Sequence, residues 1–275
     1  MNARGSALEI SGTTANAADV KARVSAAEWA LRVDLAAAYR LVDLYGWTDM
    51  IYNHISVRLP SAEHHFLINP YGLAFEEITA SSLIEIDLAG NIVYAPDPAY
   101  GINLAGYVIH CAVHEALSDA GCVIHTHTPA GMAVSALKCG LLPVCQTAMR
   151  FATIAYHDYE GVALDLDERK RLVANLGQSQ VMILRNHGLL AIGRTIPEAF
   201  NNMYRLERAC QVQLMALACN TELHLPADEA VKRANVQLAK NTAAGHAGRD
   251  MPPFGVMEWP ALLRRLDRRD PSFRD

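Results

Sequence analysis

The chain has no C-x-x-C pair among its six cysteines, no apolar run near the ~18 residues of a membrane span, and no excess of positive charge. Each absence removes a class of protein. Cys111, Cys122, Cys139, Cys145, Cys210 and Cys219 lie mostly in apolar surroundings without framework spacing, so they read as reduced thiols of a cytosol, packed as small core residues. No apolar segment follows a basic start, so no secretory signal is expected, the compartment is read as cytoplasmic, and no membrane partner is expected. A net charge of -5 and a pI near 6.1 argue against a broad nucleic-acid-binding surface. Internal repeats and low-complexity tracts are missing as well. What remains is a chain of 275 residues, 51% hydrophobic and 19% charged, able to bury a sizeable core as one large domain or two small ones.

The chemistry concentrates in Gly121-Cys-Val-Ile-His-Thr-His-Thr-Pro-Ala130, where His125 and His127 stand one residue apart at the end of an apolar run. In a strand that spacing puts both rings on one face, and neutral imidazole nitrogens are common ligands for divalent zinc. An H-x-H pair alone is equally a pair of surface or core histidines. A third histidine in a similar setting strengthens the metal reading: Val181-Met-Ile-Leu184 ends in Arg185-Asn-His187-Gly188 before Leu189-Leu-Ala-Ile-Gly193 resumes. His110 and His114 add an i, i+4 pair on one helical face, a spacing that can bind zinc but lacks the adjacent glutamate of metalloprotease helices. Core or interface histidines bonded to backbone are the preferred reading for that pair.

Residues 1 to about 22 show no sustained period and are expected to form a mobile leader or an arm on a neighbour, with ordered structure beginning at Ser25. Ser25-Ala-Ala-Glu28 has capping-box spacing and opens a helix that should stop at Gly46. Strands are expected over Asn53 to Leu59, His65 to Asn69, Ile84 to Leu88 and Ile92 to Tyr94, with a Pro70-Tyr-Gly72 turn. Asn103 should cap a helix to about Leu117, and another helix is expected from Asp167 to Leu176. Tyr156-His-Asp-Tyr-Glu160 reads as a solvated loop. Thr195-Ile-Pro-Glu198 opens a long helix to about Cys219, whose stripe of Phe200, Met203, Leu206, Ala209 or Cys210, and Val212 reads as core. Residues 223–275 are expected to form an extension, polar at first, then amphipathic and basic, packing on a neighbouring subunit.

The segments Asn53-His-Ile-Ser-Val-Arg58, Asn69-Pro-Tyr-Gly72, Val123 to Pro129, Ala133-Val-Ser-Ala-Leu137 and Arg185-Asn-His-Gly188, in that order, resemble the class II aldolase/adducin family over roughly Ala26 to Cys219. The resemblance implies an α/β fold, a three-layer α/β/α sandwich around a largely antiparallel central sheet, in residues 23–222. It further implies a homotetramer and a metal, zinc first and manganese second, on His125, His127 and His187. Asn53 and Gly72 fall where the family's loops approach the substrate; a Pro70-Gly72 turn without that role is an equal reading. The family's sugar-phosphate aldolases carry a fourth ligand, a glutamate, in a Ser-Ser-Glu run one helical turn before the histidine matching His110. That glutamate falls on Gly106, and the two phosphate-holding serines fall on Leu104 and Ala105, so this region looks more like the adducin branch.

A metal on three neutral ligands keeps its full charge and an open position, which suits carbon-carbon cleavage next to a carbonyl. The expected activity is a divalent-metal-dependent lyase, by aldol cleavage or decarboxylation, on a non-phosphorylated hydroxy-carbonyl or carboxylated small molecule. An epimerase using the same chemistry and a non-catalytic adducin-like oligomerisation scaffold are the alternatives. His110, one turn from Gly106, is the candidate catalytic group for the protons that the glutamate would have handled.

Overall fold

The computed structural model describes residues 14–60, 64–161, 166–239 and 252–275. Ordered structure begins ahead of Ser25: Asn16 caps a short helix α1 (Ala17–Arg23) whose Val20 is buried. Of the leader expected over residues 1–22, residues 1–13 lie outside the described residues. Helix α2 (Ala26–Leu44) starts where Ser25 Oγ accepts from Glu28 N at 3.1 Å. The box is not reciprocal, because Glu28 turns inward to pair with the buried Arg32 at 2.8 Å. Gly46, at φ +69, takes the left-handed conformation that ends such a helix without a Cβ penalty.

Among the described residues, eight strands form one sheet in the order β4-β3-β2-β1-β5-β8-β7-β6, antiparallel except for the β6–β7 pair. They are β1 (His54–Arg58), β2 (His65–Ile68), β3 (Ile84–Asp87), β4 (Ile92–Tyr94), β5 (Cys122–Thr126), β6 (Ala155–His157), β7 (Val181–Leu184) and β8 (Gly188–Gly193). The period-2 alternation of the strands sends side chains into two separate cores. Ile55, Val57, Cys122, Ile124, Ile183 and Leu189 face α2, α4 (Pro129–Ser135), α6 (Ile196–Ala218) and α8 (Trp259–Arg269). Phe66, Ile84, Val123, Met182 and Leu190 face α3 (Leu104–Ala116) and α5 (Leu166–Leu176). The expected three-layer α/β/α arrangement with a largely antiparallel sheet is therefore observed.

Two regions depart from the sequence-based expectation. Residues 155–157 form edge strand β6 instead of a solvated loop, because parallel pairing to β7 satisfies their backbone and buries His157 against Glu168 and Asn175. Polar residues after His224 form helix α7 (Asp228–Ala239). In the tail, Trp259, Leu266 and Phe273 enter the α2-side core of the same chain, and Trp259 Nε1 donates to Asp34 at 2.9 Å. Of the cysteines, Cys111, Cys122 and Cys210 are buried as expected, while Cys139 and Cys219 are exposed.

Candidate metal centre

His125 lies on β5, in register with His54 on one side and Leu190 on the other, so its ring points to the α3 face. His127 sits just past the strand, in the two-residue link that ends where Thr128 caps α4. His187 stands in the tight turn between β7 and β8, where Asn186 takes the positive φ (+55) that asparagine tolerates better than most residues. Tertiary pairing of β5 with β8 joins the three rings. Nε2 of His127 lies 2.8 Å from Nε2 of His125 and 3.1 Å from Nε2 of His187, and the three donor atoms all lie within 4.8 Å of one another.

The far sides of two rings fix their tautomers. His125 Nδ1–H donates to the Leu189 carbonyl at 2.9 Å, and His127 Nδ1–H donates to Asp49 Oδ2 at 2.9 Å. A neutral imidazole has one N–H, so both Nε2 atoms carry bare lone pairs. Two lone pairs at 2.8 Å repel unless a cation lies between them. A second proton on His125 is disfavoured, because burial holds its pKa well below its ordinary value, with His187, His54 and His127 adding to the effect. Burial, then His127, also lowers His187 to about 4. The donor set thus fits a divalent metal: three converging imidazole nitrogens, two of them on rings with outer partners of the kind that orient zinc ligands.

The other candidate residues have different settings. Asn53 is buried, and both ends of its amide are used by the backbone: Oδ1 accepts from His127 N at 3.0 Å, and Nδ2 donates to Trp47 O at 2.7 Å. It places His127. Gly72, at φ +125, is required by the backbone, and a Cβ there would meet the Tyr100 ring at 3.1 Å. His110 does not reach the triad; it bonds His54 on one side and Ser56 on the other. His114, its i+4 partner, bonds Ser56 and the Ala120 carbonyl, in keeping with a core role.

His54 is the residue that sequence reasoning passed over. Its ring centroid is 5.0 Å from that of His125, and it occupies the space that Gly106 leaves on α3, where a Cβ would fall 2.4 Å from His54 Cδ2. A signal was present: His54, Ser56 and Arg58 alternate as a polar face on an otherwise apolar strand, matching the polar i, i+4 face of His110 and His114.

The family model of the class II aldolase and adducin N-terminal domain matches residues 33–214. The chain belongs to the class II aldolase and adducin family. Among its relatives, a protein of Caulobacter vibrioides provisionally named an aldolase class 2 protein is 51% identical over 93% of this chain and 96% of that protein. Mouse alpha-adducin is 45% identical over 86% of this chain but only 33% of its own length. An aldolase II superfamily protein from Pseudomonas syringae superposes with a TM-score of 0.86 at 48% identity, covering 93% of this chain and 99% of that one. An L-fuculose 1-phosphate aldolase from Glaciozyma antarctica PI12 superposes with a TM-score of 0.77 at 28% identity, over 91% and 94% of the two chains. As a class II aldolase/adducin chain, it combines a complete histidine triad with a glycine at position 106.

Proposed function

We propose that the chain is a divalent-metal-dependent lyase that cleaves a carbon-carbon bond next to a carbonyl or carboxylate in a non-phosphorylated small molecule. The observation that carries this reading is the convergence of three Nε2 atoms with two tautomers set by the Leu189 carbonyl and Asp49. Zinc, or manganese in second place, would be held by His125, His127 and His187 and would supply a Lewis acid that stabilises charge on a carbonyl or enediolate oxygen. The chain's own residues keep the ligands neutral, because burial disfavours protonation of His125 and His187. Asp49 orients His127, and Asn53 holds its backbone. Leu104 is exposed at the start of α3, where a hydroxyl would have to hold a phosphate, which supports a substrate without one.

Metal content measured by mass spectrometry on protein without a histidine tag, for the wild type and a His125→Ala, His127→Ala variant, tests the reading. About one ion per chain, lost in the variant, is the expected result and justifies a screen of hydroxy-carbonyl compounds and hydroxy acids for cleavage. No uptake of zinc or manganese by the wild type overturns it. A second reading, an oligomerisation scaffold without turnover, is favoured by the 45% identity to alpha-adducin, and metal binding without turnover across that screen would select it. Either reading is compatible with a cytoplasmic homotetramer, whose size light scattering would report.

A further inference from the structure

We propose that His54 presents a fixed hydrogen-bond acceptor at the histidine triad, selecting ligands that carry a hydroxyl beside the carboxylate or carbonyl held there. The inference rests on the metal reading above for its ligand, but not for the acceptor itself.

The acceptor follows from one carbonyl. The Ala120 oxygen carries no proton, so the His114 Nδ1 that lies 2.9 Å from it must bear the hydrogen. A neutral His114 is then bare at Nε2, and the Ser56 hydroxyl, 2.7 Å away, donates its only proton there. Ser56 Oγ has no proton left for His110, so at 2.6 Å it accepts from His110 Nδ1–H. His110 Nε2 is bare in turn and accepts from His54 Nδ1–H at 2.8 Å. What is left at the end of the series is a bare His54 Nε2. The reversed arrangement would set a bare His114 Nδ1 against a carbonyl oxygen, two lone pairs facing each other. All three rings and Ser56 are buried, a setting in which an uncharged imidazole is the favoured form.

The bare nitrogen ends beside the triad. His54 and His125 are direct cross-strand partners, with ring centroids 5.0 Å apart. Gly106 makes the room, since a Cβ there would lie 2.6 Å from His54 Nε2. Among the described residues, the hydrogen bond of the His54 ring is made by Nδ1, to His110, which leaves Nε2 open to a donor that a ligand brings. An ion held by the triad would attract an anionic or carbonyl oxygen, and the adjacent acceptor would favour a neighbouring O–H. Together they describe a 2-hydroxy carboxylate or a hydroxy-carbonyl compound. Ser56, His110 and His114 act through His54 and are positioning residues.

The test has two arms on the full chain. In metal-free protein labelled with ¹⁵N-histidine, NMR should find His54, assigned through a His54→Gln variant, protonated at Nδ1 and bare at Nε2. Ser56→Ala should scramble that tautomer and Ser56→Thr restore it, a readout that a purely structural serine would not move. In zinc-loaded protein, calorimetry should find glycolate bound about tenfold more tightly than methoxyacetate, which lacks the hydroxyl proton. Ser56→Ala and Gly106→Ala should each bring that ratio to about one while keeping their zinc. A wild-type His54 protonated at Nε2, or a chain that takes up zinc yet shows no preference for the hydroxyl, overturns the proposal. A chain that takes up no zinc overturns the metal reading and the ligand assignment with it, while the tautomer result still decides the acceptor.

Discussion

Removing the carboxylate behind His127 should weaken metal binding without weakening the fold. Asp49 Oδ2 accepts from His127 Nδ1–H at 2.9 Å, and its side chain is 44% exposed. Outer partners of this kind are typically worth about 10- to 100-fold in metal affinity. Water can replace an exposed carboxylate, so Asp49→Ala should fall at the lower end, about tenfold or ~1.4 kcal/mol. Asp49→Asn keeps an acceptor oxygen and loses the charge; a charge-assisted bond is about twice as strong as a neutral one, so about threefold is expected. Metal-free stability should stay within about 0.5 kcal/mol in both variants, as for other exposed positions. Competition against a chromophoric zinc chelator reads the affinities, and urea unfolding reads the stability. Unchanged affinity in Asp49→Ala would refute the claim that this bond presets the ligand, and equal losses in the two variants would assign the effect to charge alone.

Metal-free protein should lose stability as the pH falls from about 6.5 to 4. The folded pKa values of His187, about 4, and His114, about 3, lie below the unfolded value, so the unfolded state binds more protons in that window. The His114 contribution is on the order of 3 kcal/mol by pH 4, and urea midpoints flat across that window would contradict it. Phe273→Ala, which empties a fully buried site on the α2 side, should cost about 3–5 kcal/mol. Because Phe273 docks on its own chain, that cost should not vary with protein concentration. A thiol reagent should label Cys139 and Cys219 at once in native protein and reach Cys111, Cys122 and Cys210 only on unfolding, since burial removes access and pushes the Cys111 thiol up to about 12.

Local chemistry decided much of this molecule before any folding was considered. Ser25, Thr195 and Gly46 mark helix ends because capping uses atoms within three or four residues, and alternation in β3 needs nothing beyond period 2. The H-x-H spacing and the Asn186-His187 turn likewise named the triad, because each histidine sits at the end of an apolar run. Contacts between segments far apart in the chain were not legible in that way. The tail's amphipathic pattern called for a partner without saying that α2 of the same chain supplies it, and β6 became a strand only because β7 offered an edge. The clearest case is His54. Pairing β1 with β5 and laying α3 over both set Gly106 against an imidazole 52 positions earlier, and a carbonyl at Ala120 fixed where that ring keeps its proton. Hydrogen bonds of 2.6–2.9 Å in a buried series impose directions on one another that no single residue's neighbours encode.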